Sequence, residues 1–119
     1  MIVERDFADT DSKGEFMNNS ELKEILYDMI QDEDILDQMI ILEGDEFADG
    51  VIGITNDYHV VYSYERLVQS LAKAYKEEDQ TDEEAELAAM EWIDYNTIRS
   101  LPYMEKEGLV PIIMFGLEY

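Results

Sequence analysis

The chain has no cysteine. Disulfides, thiolate metal sites and cysteine nucleophiles are therefore excluded. Basic residues are scarce as well: 8 Lys and Arg stand against 30 Asp and Glu, a formal net charge of −22. Phosphate contacts need Lys and Arg, so direct nucleic-acid binding is not expected. No glycine-rich phosphate loop occurs. Long apolar runs are missing too. The longest, Met39–Leu42 and Leu109–Leu117, are too short to cross a bilayer, and so negative a surface is repelled by anionic lipid. Met1–Asp6 has no basic region running into an apolar core, so it does not read as a signal peptide, and a cytoplasmic protein is expected.

What is present is a folding composition. At 119 residues with 46% hydrophobic content, the chain is one domain by length and carries enough apolar surface for a core. Residues 1–17 read as a weakly ordered acidic arm and 18–119 as a single α+β domain. Within the arm, Asp9-Thr10-Asp11-Ser12-Lys13-Gly14 has a passing likeness to a calcium loop. Lys13 stands at the third ligand position and Ser20 where a bidentate Glu is needed, so a solvated arm is the better reading. No metal or cofactor is expected.

A helix is expected from Asn18, an N-cap with Glu21 three residues on. Leu22, Ile25, Leu26, Met29 and Ile30 give it one apolar stripe. The pattern breaks at Gln31–Asp34 and resumes at Ile35; either the helix continues or Asp32 caps a second short one, with the exit at Gly44. Val51, Ile52, Ile54 and then Val60, Val61, Tyr62 read as a hairpin turning at Thr55-Asn56-Asp57, where Asn and Asp tolerate positive φ. Gly50 and Gly53 suggest a bulge or close backbone approach. Ser63 caps a helix to about Lys76, with Tyr64, Leu67, Val68, Leu71 and Tyr75 buried.

Thr81-Asp82-Glu83-Glu84 is a capping box. The helix it opens carries Ala85, Ala88, Ala89, Trp92 and Ile93 on a core face. A second row of Leu87, Met90, Ile98 and Leu101 suits a sandwich or an interface. Pro102 is expected to end this helix, with Leu101 pushed out of the helical region. Leu109–Leu117 reads as a final strand buried on both faces, with Pro111 at its start or on an edge. The sum is an α+β fold: a small three-stranded, largely antiparallel sheet, hairpin plus C-terminal strand, packed with three or four helices.

Three stretches, Gly50–Ile54, Val61–Val68 and the run Glu91-Trp92-Ile93-Asp94-Tyr95-Asn96-Thr97-Ile98-Arg99-Ser100-Leu101-Pro102-Tyr103-Met104, together with Pro111–Met114, carry a resemblance. The chain resembles a group of short acidic, uncharacterised proteins of bacteria, phages and mobile elements, over roughly residues 45 to 119. The resemblance implies genomic company rather than an activity, and it supplies no catalytic residues.

Candidate chemistry is thin. His59 is the single histidine, and Ser63, Asp57 and Glu65 are only its sequence neighbours; a lone strand histidine is structural more often than catalytic. No carboxylate pair stands out as an acid–base dyad. Asn96 and Arg99 lie three apart on one helix face. Their plain reading is local: Arg99 offsets the acidic field and caps the helix C-terminus. The other reading is a partner anchor.

Charge distribution carries more. Asp32 to Asp49 holds eight acids and no base, and Glu77 to Asp94 nine acids and no base. Asp82, Glu83, Glu84, Glu86, Glu91 and Asp94 place roughly one negative charge per 3 Å along a helix, close to the phosphate spacing of about 3.4 Å along one DNA strand. With Asp32, Glu33, Asp34, Asp37, Asp45 and Glu46, these are the candidate contacts to a basic, nucleic-acid-binding partner protein. The expected function is non-enzymatic: an accessory protein that inhibits a host defence protein by imitating the polyanion. The alternative is a protein-interaction or assembly module, with a homodimer as one form of it, joined through Leu87, Met90, Ile98 and Leu101 or through a strand edge, in which the charge is only solubilising.

Overall fold

A computed structural model of the chain describes residues 17–117. The acidic arm and its calcium-like loop lie outside those residues, apart from Met17.

Helix α1 (Asn19–Ile30) starts where Asn18 accepts the Glu21 N–H at 2.9 Å. It ends on Gln31 in the left-handed region, φ 54°, whose N–H donates to the Tyr27 carbonyl. Of the two readings of the break, the second holds: Asp32 accepts the N–H groups of Asp34 and Ile35 and opens a separate helix α2 (Glu33–Gln38). The exit at Gly44 leads into a 3-10 helix (Asp45–Gly50).

Strand β1 (Val51–Ile54) pairs antiparallel with β2 (Val60–Ser63). Val51 faces Tyr62 and Gly53 faces Val61, so Ile52 is an extra residue, the bulge that the two glycines suggest. Gly50 packs against Leu67; a Cβ there would stand 2.5 Å from Leu67 Cδ2. The turn differs from expectation in one respect. The residue at positive φ is Tyr58 (φ 69°), not Asn56 or Asp57. The Thr55 carbonyl accepts the Tyr58 N–H, and Thr55 and His59 close the loop. A three-residue loop of this kind places its left-handed residue last.

Ser63 accepts the Arg66 N–H and opens α3 (Tyr64–Tyr75). Tyr64, Leu67, Val68 and Leu71 are buried as expected, but Tyr75 is 64% exposed and its hydroxyl donates to Glu46. Helix α4 (Asp82–Trp92) opens with both halves of the capping box made. It runs on without a stop through a π turn (Ile93–Thr97) and a 3-10 turn (Ile98–Ser100) into α5 (Leu101–Met104). Pro102 therefore does not terminate it. Leu101 is helical (φ −54°, ψ −44°), and Pro102 sits in the first turn of α5, where no intrahelical N–H is required.

Strand β3 (Ile112–Met114) lies beside β2, giving the order β1-β2-β3. It is parallel to β2, with Val61 facing Ile112 and Ser63 facing Met114. The sheet is mixed, not largely antiparallel. The cause is connectivity: the helices from α3 to α5 form a crossover, which returns the chain in the direction of β2. β3 is also an edge, with one partner only, so it is not buried on both faces; Ile112 and Met114 are 38% and 39% exposed. Pro111 is buried just ahead of the strand. The strand buried on both faces is the central one, β2, through Val60, Val61 and Tyr62. The core gathers these with Leu22, Phe47, Leu67, Ala85, Ala89 and Ile93. Among the described residues there are five α-helices rather than three or four, two of them shorter than two turns, and the fold is α+β as expected.

Candidate functional site

Helix α4 is held at both ends. Thr81 Oγ1 accepts the Glu84 N–H at 3.1 Å, and Glu84 Oε1 accepts the Thr81 N–H at 3.0 Å. That second bond holds the Glu84 carboxyl below its ordinary range. At the other end Ile93 is fully buried, and the Tyr64 hydroxyl donates to Asp94 at 3.2 Å. Burial first, and the Asp94 charge second, push the Tyr64 hydroxyl pKa up.

The twelve candidate carboxylates divide into two sets. Six have work within the fold. Asp82 takes the Lys76 ammonium at 2.6 Å, which lowers its pKa. Glu84 and Asp94 act as just described. Asp32 caps α2. Asp45 accepts the Asn19 N–H at 3.0 Å. Glu46 accepts the Tyr75 hydroxyl at 3.0 Å, and that hydrogen bond first, with the Glu46 charge second, raises the Tyr75 pKa. The other six, Glu83, Glu86, Glu91, Glu33, Asp34 and Asp37, are exposed and take no side-chain hydrogen bond or ion pair among the described residues.

At 3.6 residues per turn, Glu83, Glu86 and Glu91 fall within an arc of roughly 140°. Buried Ala85 and Ala89 lie on the opposite side of α4. The two acidic segments are carried by different parts of the fold. The 3-10 helix with Asp45 and Glu46 packs on α3, and Phe47 stacks on Trp92 of α4 with ring centroids 5.7 Å apart. Helix α2 packs on α1 and is tied to the C-terminal segment, where the Leu109 N–H donates to the Gln38 carbonyl at 2.7 Å. Gly108 is needed there, because a Cβ would stand 2.4 Å from that same carbonyl oxygen.

Two features were not foreseen. The first is an open groove of about 450 Å³ between α3 and α4. Leu71, Ala72 and Tyr75 line one side; Ala85, Ala88, Ala89 and Trp92 line the other; Glu77 and Gln80 close one end. The alanine spacing reads as core packing throughout, yet Ala88 is exposed and Trp92 is 45% exposed. The second is an apolar edge. Phe115, 55% exposed, stacks on Tyr64 at 4.4 Å, and Leu117 is 79% exposed. The Gly116 N–H donates to Glu65 at 2.9 Å and straps the segment to α3; hydrogen bonds from Glu65's own N–H first, and from the Gly116 N–H second, hold that carboxyl below its ordinary range. Of the proposed second row on α4, Leu87 and Met90 are exposed, Ile98 packs on the core and Leu101 is half-buried.

The remaining candidates have local partners. Asn96 Nδ2 donates to the Trp92 carbonyl at 3.0 Å, within the π turn. Arg99 lies over the Tyr95 ring at 5.0 Å rather than on a helix-end carbonyl. His59 Nδ1 donates to the Val110 carbonyl at 2.6 Å, tying the hairpin to the approach of β3. Its Nε2 stands 3.7 Å from Asp57, while the Ser63 hydroxyl caps α3 and donates to Glu65. No group of three or more His, Asp or Glu converges on a metal position among the described residues, and no described helix is long and apolar enough to cross a membrane. Comparison with protein-family models, curated proteins and solved structures finds no match.

Proposed function

We propose that this chain is a non-enzymatic binding protein whose acidic face occupies the cationic surface of a nucleic-acid-binding protein. On this reading it is an accessory protein of a phage or mobile element, acting in the cytoplasm to inhibit a host defence protein. The observation that supports it most is the set of unpartnered carboxylates Glu83, Glu86 and Glu91 on a helix pinned at both ends. None has a side-chain partner in the fold; Glu83 alone, in the first turn of α4, also meets the positive end of the helix dipole, and mutual repulsion on a chain of net charge −22 opposes the presence of all three. A cationic partner removes that cost on binding and is steered to the site by the field. The test is Glu83→Lys, Glu86→Lys and Glu91→Lys together. Glu84 and Asp94 stay unchanged, because their reversal would disturb the cap and the Tyr64 bond. The triple variant keeps its circular dichroism spectrum and loses the partner; undiminished binding would refute the reading.

A second reading, assembly, is favoured by the β3 edge. The nine residues Leu109–Leu117 carry no charge in a chain that is 32% charged, and Ile112, Met114 and Phe115 are exposed along it. An apolar strand edge is a template for pairing. Light scattering at high protein concentration decides: a dimer that Met114→Lys returns to monomer supports this reading, and a wild-type monomer excludes it.

A further inference from the structure

We infer that the groove between α3 and α4 receives an apolar side chain from a basic amphipathic segment of the partner protein. The inference rests on the proposed function and names the chemistry of that partner. The floor is apolar and firm: Leu71, Ala85 and Ala89 are buried. Alanines three and four apart on α4 leave the space, and two exposed rings, Tyr75 and Trp92, flank it.

The rim is anionic. Glu77 lines the end of the groove. Glu84 and Glu91 are the i−4 and i+3 neighbours of exposed Ala88, so they stand beside it on the same helix face. Glu46 reaches the mouth through its bond to the Tyr75 hydroxyl. An apolar slot rimmed on several sides by carboxylates selects an apolar anchor flanked by Lys or Arg, which is the helix-in-groove mode of recognition. Oligolysine satisfies the rim and leaves the slot empty; an uncharged apolar helix does the reverse. Full burial of one Leu-sized anchor adds a factor of roughly ten to a hundred in affinity.

Trp92 is the only tryptophan in the chain, so its emission reports on the groove directly. The experiment titrates the full chain with a peptide of Lys and Leu in amphipathic helical order, and separately with oligolysine of equal charge. Ala88→Phe, which fills the slot from an exposed position, and the smaller Ala88→Leu serve as variants, each checked by circular dichroism. The Lys/Leu peptide shifts Trp92 emission, and at high salt binds about tenfold or more tightly than oligolysine. Ala88→Phe weakens that peptide by about the same factor and leaves oligolysine unaffected. Equal binding of the two peptides, untouched by either variant, overturns the groove and leaves the acidic-face reading standing. Failure of both peptides to bind overturns both.

Discussion

Tyr62 sits in the middle of the central strand with none of its surface exposed, and its hydroxyl oxygen accepts the Leu42 N–H at 2.9 Å. Removing that oxygen leaves a buried N–H without a partner. Tyr62→Phe is expected to cost about 1–3 kcal/mol in chemical denaturation. Burial also pushes the Tyr62 hydroxyl pKa from 10.0 up to about 12. The folded state therefore holds this proton more tightly than the unfolded one. The stabilisation is whole below pH 10.0 and is lost as pH rises toward about 12. An alkaline titration followed by denaturation shows that loss in the wild type and a shallower one in Tyr62→Phe. Tyr58 presents the opposite case. A bulky side chain in the left-handed region is strained, and its position in the loop is the one that glycine suits. Tyr58→Gly is expected to raise stability by about 1 kcal/mol, read as a higher denaturation midpoint.

At the level of elements, what was legible in the sequence was local. The Thr81 capping box and the Asn18 and Ser63 caps depend on neighbours within a few residues, and each is where its residues place it; the Asp32 cap and the bulge at Ile52 were each one of two readings that the sequence left open. Thr81→Ala, which removes a cap bond without touching a core residue, is expected to cost about 1 kcal/mol in thermal or denaturant unfolding. What was not legible depends on the far side of the molecule. Leu101-Pro102 reads as a stop, but the π and 3-10 turns before it restart the helix. The run Val110–Phe115 has the composition of a strand covered on both faces, and nothing within it says that it has only one neighbour. Its direction follows from the helical crossover, which the run does not encode. The candidate site divides the same way. Candidate carboxylates were identifiable as charges, whereas the division into six with partners in the fold and six without depends on distant residues such as Tyr64, Tyr75 and Asn19. The groove escaped notice because alanine at a core spacing looks the same whether or not a neighbour fills the space beside it.

Across the whole molecule the net charge of −22 acts against compaction. The radius of gyration is 14.6 Å, smaller than the Debye length of about 30 Å at 0.01 M salt and larger than that of about 3 Å at 1 M. Repulsion thus spans the molecule at low salt and is confined to near neighbours at high salt. The melting temperature is expected to rise steadily with sodium chloride over that range. Glu83→Gln, Glu86→Gln and Glu91→Gln together should raise it at low salt and flatten its salt dependence, which differential scanning calorimetry measures. Carboxylates that repel one another in the free protein and have no side-chain partner in the fold are those that a cationic partner would neutralise. The most direct measurement is a pull-down from bacterial lysate with this chain as bait, with and without excess duplex DNA, run beside the Glu83→Lys, Glu86→Lys, Glu91→Lys variant. The account predicts a nucleic-acid-binding protein that DNA displaces and the variant fails to capture. Capture that is indifferent to DNA and equal for the variant would contradict it.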